Sequence, residues 1–179
     1  MKRLVISWQT YEWAKYCTGM LLQEPDYNYH VIVVCKDNRR PMLGYDGLCS
    51  DAIYAQRKHD LFTIGKFLNV EKVYNLGMEP DILNLHRFVA QLQIYLVAGQ
   101  ISEVYYSSYV LLDRIFETFP KKIPIYKYGC DSDKEPDKIH KLTIKEYDKK
   151  KQVSDFMIGI NAKREKLYFS YTENFYLLK

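Results

Sequence analysis

The sequence predicts a doubly wound α/β protein, with a mainly parallel sheet of five or slightly more strands and helices on both faces. Short apolar runs alternate five times with longer stretches of helical spacing, which is the pattern of repeated strand–helix units. The run Val31–Cys35 is apolar at every position, as in a strand buried on both faces. Its 179 residues, 47% hydrophobic and 27% charged, suit one folded domain over 1–179. We therefore expect a Rossmann-like arrangement.

The expected strands are short β-branched or aromatic runs, at 4–6, 31–35, 73–76, 104–106 and 123–126. Pro124 cannot donate a backbone hydrogen bond, so the fifth strand is expected near the edge of the sheet. The tail from Leu167 to Leu177 is expected to be extended.

The expected helices follow these strands, at 11–23, 51–68, 82–99, 110–119 and 143–160. Ser50 is a candidate cap for the second helix, because its hydroxyl can accept from a free backbone N–H of the first turn. Thr143 and Glu146 have the spacing of a capping box at the start of the last helix.

Composition excludes several classes of protein. No apolar run approaches the roughly 18–20 residues of a membrane span and no signal peptide is visible, so we expect a cytoplasmic protein without membrane association. Four cysteines without a C-x-x-C pair predict neither a zinc knuckle nor a disulfide framework. The net charge of +4 is mild, and the Lys149–Lys151 run lacks interleaved aromatic residues, so nucleic acid is not an expected partner.

The fold class predicts where a ligand binds. Open parallel sheets bind ligands beyond the carboxyl ends of their strands, at the switch point in strand order. If the first strand is central, three segments form the site: Ser7–Glu12, Asp37–Gly47 and Ser107–Arg114. Common catalytic signatures are missing, including G-x-S-x-G, the P-loop and G-x-G-x-x-G. Cys17 lies within a predicted helix and has no positional support as a nucleophile.

Several segments in fixed order carry a family resemblance over nearly the whole chain. They are the N-terminal strand, turn and helix, the second strand with its acidic loop, the Arg-x-x-acid helix, the third strand and the C-terminal segment: 4–19, 31–37, 57–60, 70–81 and 171–175. In these segments the chain resembles the PIG-L (LmbE-like) N-acetylglucosaminyl deacetylases. The resemblance implies a hydrolase fold that acts on N-acetyl sugars with a catalytic zinc.

The resemblance fails where that family performs its chemistry. Family members carry His-Pro-Asp-Asp-Glu after the first strand, and the same place here reads Trp8-Gln9-Thr10-Tyr11-Glu12. The His and second Asp of the motif hold zinc, and its first Asp is the base. The family's third ligand is a histidine after the fourth strand, but the segment Ser107–Arg114 contains none. A catalytic zinc needs about three N, O or S ligands, so we expect no zinc and no other cofactor.

The side chains expected at the mouth of the site still combine aromatic, amide and charged groups, as pockets for small polar ligands do. The candidate ligand-binding residues are Trp8, Gln9, Tyr11, Asp37, Asn38, Arg39, Arg57 and Tyr109. A sugar or a nucleotide-like molecule would suit them. Structural roles compete with this interpretation.

These structural alternatives are specific. Trp8 and Tyr11 would pack the first helix onto the sheet, and Glu12 would complement the amino end of that helix. Arg57 would form an exposed pair with Asp60 on the second helix.

Three hypotheses follow. The leading one is a pseudoenzyme that binds or regulates through a sugar- or nucleotide-like ligand. The second is an active metal-dependent N-deacetylase or amide hydrolase, with Glu12 or Asp113 as catalytic base and Mg²⁺ or Mn²⁺ in place of zinc. The third is an interaction protein whose exposed tyrosines, drawn from 17 in the chain, bind another protein or a second copy.

Overall fold

The computed structural model describes residues 1–10, 12–36, 50–78, 82–120, 122–130, 133–158 and 171–178. Its strands, in chain order, are β1 (Lys2–Ser7), β2 (Asn28–Cys35), β3 (Lys72–Met78), β4 (Ile101–Ser107), β5 (Ile125–Tyr128), β6 (Lys138–Lys141) and β7 (Thr172–Leu177). Its helices are α1 (Glu12–Gln23), α2 (Ser50–Phe67), α3 (Ile82–Ala98), α4 (Val110–Thr118) and α5 (Ile144–Ile158).

The strands form one sheet in the order β3-β2-β1-β4-β5-β7-β6. The first five of these are parallel, and β7 is antiparallel to both β5 and β6. Val5 of β1 pairs with Val31 on one side and with Tyr105 on the other, so β1 is central. The predicted doubly wound, mainly parallel α/β fold is confirmed.

Helices cover both faces of the sheet. Successive residues of a strand point to opposite faces, so each central strand contributes side chains to two core clusters. Val5 joins the core cluster that contains Trp13 of α1 and Leu61 of α2, while Leu4 and Ile6 join the cluster formed with α3 and α4. The first face also receives Val153 of α5. Both clusters are apolar, which explains why β1 and β2 read as continuous apolar runs.

Two predictions about the far side of the sheet need correction. The fifth strand is not at the edge: β5 lies between β4 and β7. Pro124 precedes the strand, so its missing N–H interrupts no ladder, and its carbonyl accepts from Val104 N at 3.0 Å. The sequence prediction also missed β6, a four-residue strand with a lysine at each end.

The capping box predicted at the last helix is present. Thr143 N donates to the Glu146 carboxylate at 2.7 Å, and Glu146 N lies 3.4 Å from the Thr143 hydroxyl. The carboxylate also accepts from Gln23 at 2.9 Å, which links α5 to the end of α1. These hydrogen bonds lower the pKa of Glu146, so it remains ionised at neutral pH.

His140 makes stability depend on pH in a defined direction. It is 9% exposed, its Nδ1 lies 3.1 Å from Gln23 Oε1, and burial lowers its pKa below the ordinary value. A lowered folded pKa favours the neutral ring in the native state, so its contribution to stability is present above the unfolded pKa of about 6.5 and is lost as pH falls below it.

We therefore expect the free energy of unfolding to fall more between pH 7.5 and pH 5.5 in the wild type than in His140→Gln. Urea denaturation at both pH values measures the difference, and comparison with the variant cancels the contributions of other groups. An equal fall in both proteins would show that His140 titrates alike in the folded and unfolded states.

Candidate functional site

The predicted site lies at the topological switch point. The chain moves from β1 to β2 on one side and later returns to β4 on the other, so the carboxyl ends of β1 and β4 flank a crevice. Of the three predicted segments, those after β1 and β4 are described. The third contains Asp37, Asn38 and Arg39, which lie outside the described residues, as does Tyr11.

A stack of two aromatic rings joins the two described segments. The rings of Trp8 and Tyr109 lie 4.2 Å apart between centroids and 12° from parallel. Trp8 N donates to the Ser107 hydroxyl at 2.9 Å, and its carbonyl accepts from Cys35 N at 3.0 Å. Trp8 is only 3% exposed, whereas Tyr109 is half-buried. The stack therefore closes the base of the crevice and leaves Tyr109 at its surface.

Trp8 does not hold the first helix, contrary to the structural alternative. It belongs to the core cluster on the face of α3 and α4, whereas α1 packs on the other face. Trp13, which lies in the first turn of α1 and is fully buried, takes the role expected of Trp8. The strand alternation explains this, since Trp8 continues the face of Leu4 and Ile6.

Glu12 holds the turn between β1 and α1. Its carboxylate accepts from Gln9 N at 3.0 Å and lies 3.3 Å from the Ser7 hydroxyl. It also stands in the first turn of α1, where a negative charge complements the amino end of the helix. The structural role of Glu12 is therefore observed, and one of its two carboxylate oxygens, Oε2, accepts from the backbone N–H of Gln9.

Asp113 is held in an ion pair at the other wall of the crevice. Both of its carboxylate oxygens lie 2.9 Å from Lys127 Nζ. Burial, together with the neighbouring Asp113 carboxylate, raises the pKa of Tyr106 well above the ordinary value, so this phenol stays neutral. Asp113 is therefore already paired with a cation of the protein itself.

Arg57 is buried rather than exposed. It is 5% exposed and Asp60 is 7% exposed, so the expected pair on an exposed helix face is wrong about their surroundings. Asp60 accepts from Gln56 at 2.8 Å, and burial raises its pKa against the opposing influence of Gln56, His59 and Arg57. The helix α2 packs on the face of the sheet opposite to the core cluster of Trp8. Arg57 therefore lies on the other side of the sheet from Trp8.

Sequence reasoning missed Tyr128, which ties the ends of three strands together. Its fully buried hydroxyl donates to Ile6 O at 3.0 Å, and its carbonyl accepts from Ser108 N at 2.8 Å. Burial raises the pKa of Tyr128, with Ser7 and Ser107 opposing through hydrogen bonds. The position of Tyr128 at the end of the strand beside β4 is the signal that could have identified it.

Replacing Tyr128 by phenylalanine is expected to lower the free energy of unfolding by about 1–3 kcal/mol, because the buried Ile6 carbonyl loses its donor. Tyr171→Phe is a matched control on a side chain that is 52% exposed, and should change stability by no more than about 0.5 kcal/mol. Chemical denaturation compares the two variants. Equal stability in both would show that the Tyr128 hydroxyl contributes nothing.

The described side chains at this crevice do not provide the ligand set of a catalytic zinc. Within the described ranges, no three His, Cys, Asp or Glu side chains lie close enough to hold a metal ion. Glu12 and Asp113 are engaged as above, and Trp8 has no lone pair to offer, since its indole nitrogen only donates. Two histidines lie in strands, His30 near the amino end of β2 and His140 in β6, and two lie in helices, His59 and His86.

Comparison with solved structures identifies the same fold in several enzymes. The N,N'-diacetylchitobiose deacetylase from Pyrococcus horikoshii gives a TM-score of 0.70 at 16% identity, over 99% of this chain and 83% of that one. The 4-carboxy-2-hydroxymuconate hydratase GalB from Pseudomonas putida KT2440 gives 0.69 at 14% identity, over 100% and 97%. A deacetylase of teicoplanin biosynthesis, solved with teicoplanin, gives 0.67 at 11% identity, over 100% of both chains.

No protein-family model and no curated protein sequence matches the chain. At these identities the solved structures show the fold, and the deacetylases among them are the type of neighbour that the resemblance predicted. The resemblance is therefore confirmed at the level of the fold. None of the helices in the described part of the chain has the length and apolar character needed to cross a bilayer.

Proposed function

We propose that this protein is a non-catalytic relative of the deacetylases, which binds a small sugar- or nucleotide-like ligand at the carboxyl edge of its sheet. The observation that carries the proposal is the stack of Trp8 on Tyr109. In the sequence, Trp8 stands where the family that the chain resembles has its first zinc ligand. The proposed role of the protein is recognition or regulation.

The loss of catalysis is supported by the commitment of both candidate bases. A general base must present a lone pair to the proton it removes. The Glu12 carboxylate receives the Gln9 backbone N–H, and the Asp113 carboxylate faces Lys127 with both oxygens. Moving either group toward a substrate would disturb the contacts that shape the loop after β1 or the ion pair with β5.

The binding of a small polar ligand is supported by Tyr109 and by the solved neighbours. Tyr109 is partly exposed while one face of its ring rests on Trp8, which makes it a rigid aromatic surface with a polar tip. The chitobiose deacetylase was solved with its inhibitor and the teicoplanin deacetylase with teicoplanin, so this fold has been captured with ligands. The hydratase among the neighbours shows that the fold alone does not determine the chemistry.

Calorimetric titration tests binding with N-acetylglucosamine, diacetylchitobiose, AMP and UDP as probes. We expect saturable binding of one of them, weakened at least about tenfold in Tyr109→Ala, the scale of a lost aromatic anchor. Tyr171→Ala is the matched control, because it removes a tyrosine that is 52% exposed and lies outside the crevice. Absence of binding by all four probes, or equal weakening by both variants, would contradict a ligand site at Tyr109.

A separate assay tests whether the protein lacks catalytic activity. It measures acetate release from the two N-acetyl sugars with zinc, magnesium or manganese added. No release is expected with any ion. Turnover that disappears in Glu12→Gln or Asp113→Asn would overturn the proposal and support the metal-dependent hydrolase instead.

A further inference from the structure

Two adjoining cavities lie between α3 and the sheet, away from the carboxyl edge. The first, which we term the apolar groove, has a volume of about 210 Å³ and is walled by Ile32, Tyr74, Leu76, Phe88 and Leu92. The second, the cationic pocket, has a volume of about 380 Å³ and is lined by Lys2, His30 and Lys72, among others. Gln91 and Tyr95 line both cavities, so the two adjoin each other along α3.

The cationic pocket lies at the amino ends of the strands. Lys2 begins β1, Lys72 begins β3, and His30 of β2 pairs with Lys72 in register. Parallel strands place these ends on the edge opposite to Trp8. This site is therefore separate from the proposed ligand site, and neither inference depends on the other.

The two lysines have no counter-ion in the described part of the chain, where no carboxylate oxygen lies within 4.0 Å of either ammonium group. His30 is already held between the Tyr95 hydroxyl and Glu71, whose carboxylate lies 3.3 Å from Nε2. The carboxyl end of α3 contributes about half a negative charge nearby. The Glu71 carboxylate beside His30 adds one further negative charge, so the two lysines leave an excess of about half a positive charge, and the pocket favours an anion.

The apolar groove is large enough for a hydrocarbon group. Its volume of about 210 Å³ exceeds that of an engineered cavity of about 150 Å³ that stays dry and binds benzene. Its walls are aliphatic and aromatic carbon, with the polar groups of Gln91 and Tyr95 at the junction with the cationic pocket. Water gains few hydrogen bonds in such a groove, whereas an alkyl chain loses its contact with water there.

We propose that these cavities form one site for a medium-chain fatty carboxylate. The alkyl chain would lie in the apolar groove, and the carboxylate would reach Lys2 and Lys72 past Tyr95. The chemistry of the ligand follows from the position of the apolar groove beside Lys2 and Lys72, two lysines without a counter-ion among the described residues. A neutral lipid would leave both charges unused, and a free inorganic anion would leave the groove empty.

Calorimetric titration with hexanoate, octanoate and decanoate tests chain length. Each added methylene that is buried should tighten binding by about three- to fourfold until the groove is full. Decan-1-ol and decylammonium are matched probes for the head group, and both should bind at least about tenfold more weakly than decanoate, as expected for a lost charge-assisted contact.

Two pairs of variants test the location. Gln91→Trp places a large ring at the junction, and Gln93→Trp is its control on the same helix, at an exposed position that lines neither cavity. Lys2→Gln/Lys72→Gln removes both cations. Lys58→Gln/Lys66→Gln removes two exposed lysines of α2 and so makes the same change in net charge.

We expect decanoate binding to weaken at least about tenfold in Gln91→Trp and in the Lys2/Lys72 variant, and to change less than about twofold in both controls. Thermal unfolding confirms that each variant is folded. Three results would overturn the proposal: no saturable binding of decanoate, equal binding of decanoate and decanol, or wild-type binding by the groove and lysine variants.

Discussion

Glu173→Gln is expected to lower the free energy of unfolding by about 3–5 kcal/mol, the range found when one partner of a buried ion pair is removed. Glu173 is 2% exposed and its carboxylate lies 2.5 Å from Lys150 Nζ, whose side chain is 1% exposed. The same carboxylate accepts from Gly19 N at 2.8 Å and from Met20 N at 3.0 Å. Substitution therefore leaves a buried ammonium without its carboxylate and disturbs two backbone hydrogen bonds.

This pair connects three elements on one face of the sheet. Glu173 comes from β7, Lys150 from α5, and the two amides from the interior of α1. The space beside Gly19 is filled by the Glu173 carboxylate and Leu142, so a Cβ at position 19 would lie within 3.0 Å of both. The carboxylate thus requires glycine at this point of α1, and loss of the pair should loosen the packing of β7 and α5 together.

A double-mutant cycle with Lys150→Met measures the interaction by urea denaturation. Each single variant should be strongly destabilised, and the double variant should be more stable than the sum of the two losses predicts, by about 1–3 kcal/mol. Additive losses would show that Glu173 and Lys150 stabilise the fold independently. Glu135→Gln is the surface control, because Glu135 is exposed, and it should have little effect.

Trp8→Ala is expected to cost about 3–5 kcal/mol of stability, the range for removing a large aromatic side chain from a core. Trp8 is 3% exposed, stacks on Tyr109, and lies in the core cluster with Leu112 and Phe116 of α4. A residue that only lined an open pocket would cost far less. The expected loss therefore distinguishes a core side chain from one that only lines an open pocket.

Trp8→Phe is the matched variant, because it retains a ring against Tyr109 and should lose clearly less stability than Trp8→Ala. Chemical denaturation provides the free energies, and near-ultraviolet circular dichroism reports the environment of the remaining Trp13. A loss below about 1 kcal/mol in Trp8→Ala would contradict the core position of this side chain.

Much of the sheet was predictable because burial on both faces leaves a signal in the sequence. The continuous apolar runs of β1 and β2 and the alternation of strands with helices identified the parallel part of the sheet. β6 left no such signal, since its residues alternate between exposed and buried at the edge. The placement of β5 depended on β7, which pairs with it from almost 50 residues further along, a distance beyond any local pattern.

The location of the candidate site was also predictable, but its internal contacts were not. The rule for parallel sheets located Ser7–Glu12 and Ser107–Arg114 at one edge without side-chain information. That Trp8 would meet Ser107 and Tyr109 depends on the register of strands about 100 residues apart. Similarly, no local pattern marks Lys127 as the partner of Asp113.

The metal content of the protein tests the central claim most directly. Untagged protein, purified without chelators, equilibrated with excess zinc and then dialysed, should contain well under one zinc per chain by inductively coupled plasma mass spectrometry. Among the described residues, Trp8, Glu12 and Asp113 already contact protein groups, and this is the reason that we expect weak zinc binding. One zinc retained per chain, and lost from Glu12→Gln or Asp113→Asn, would contradict the claim that this protein has lost the zinc site.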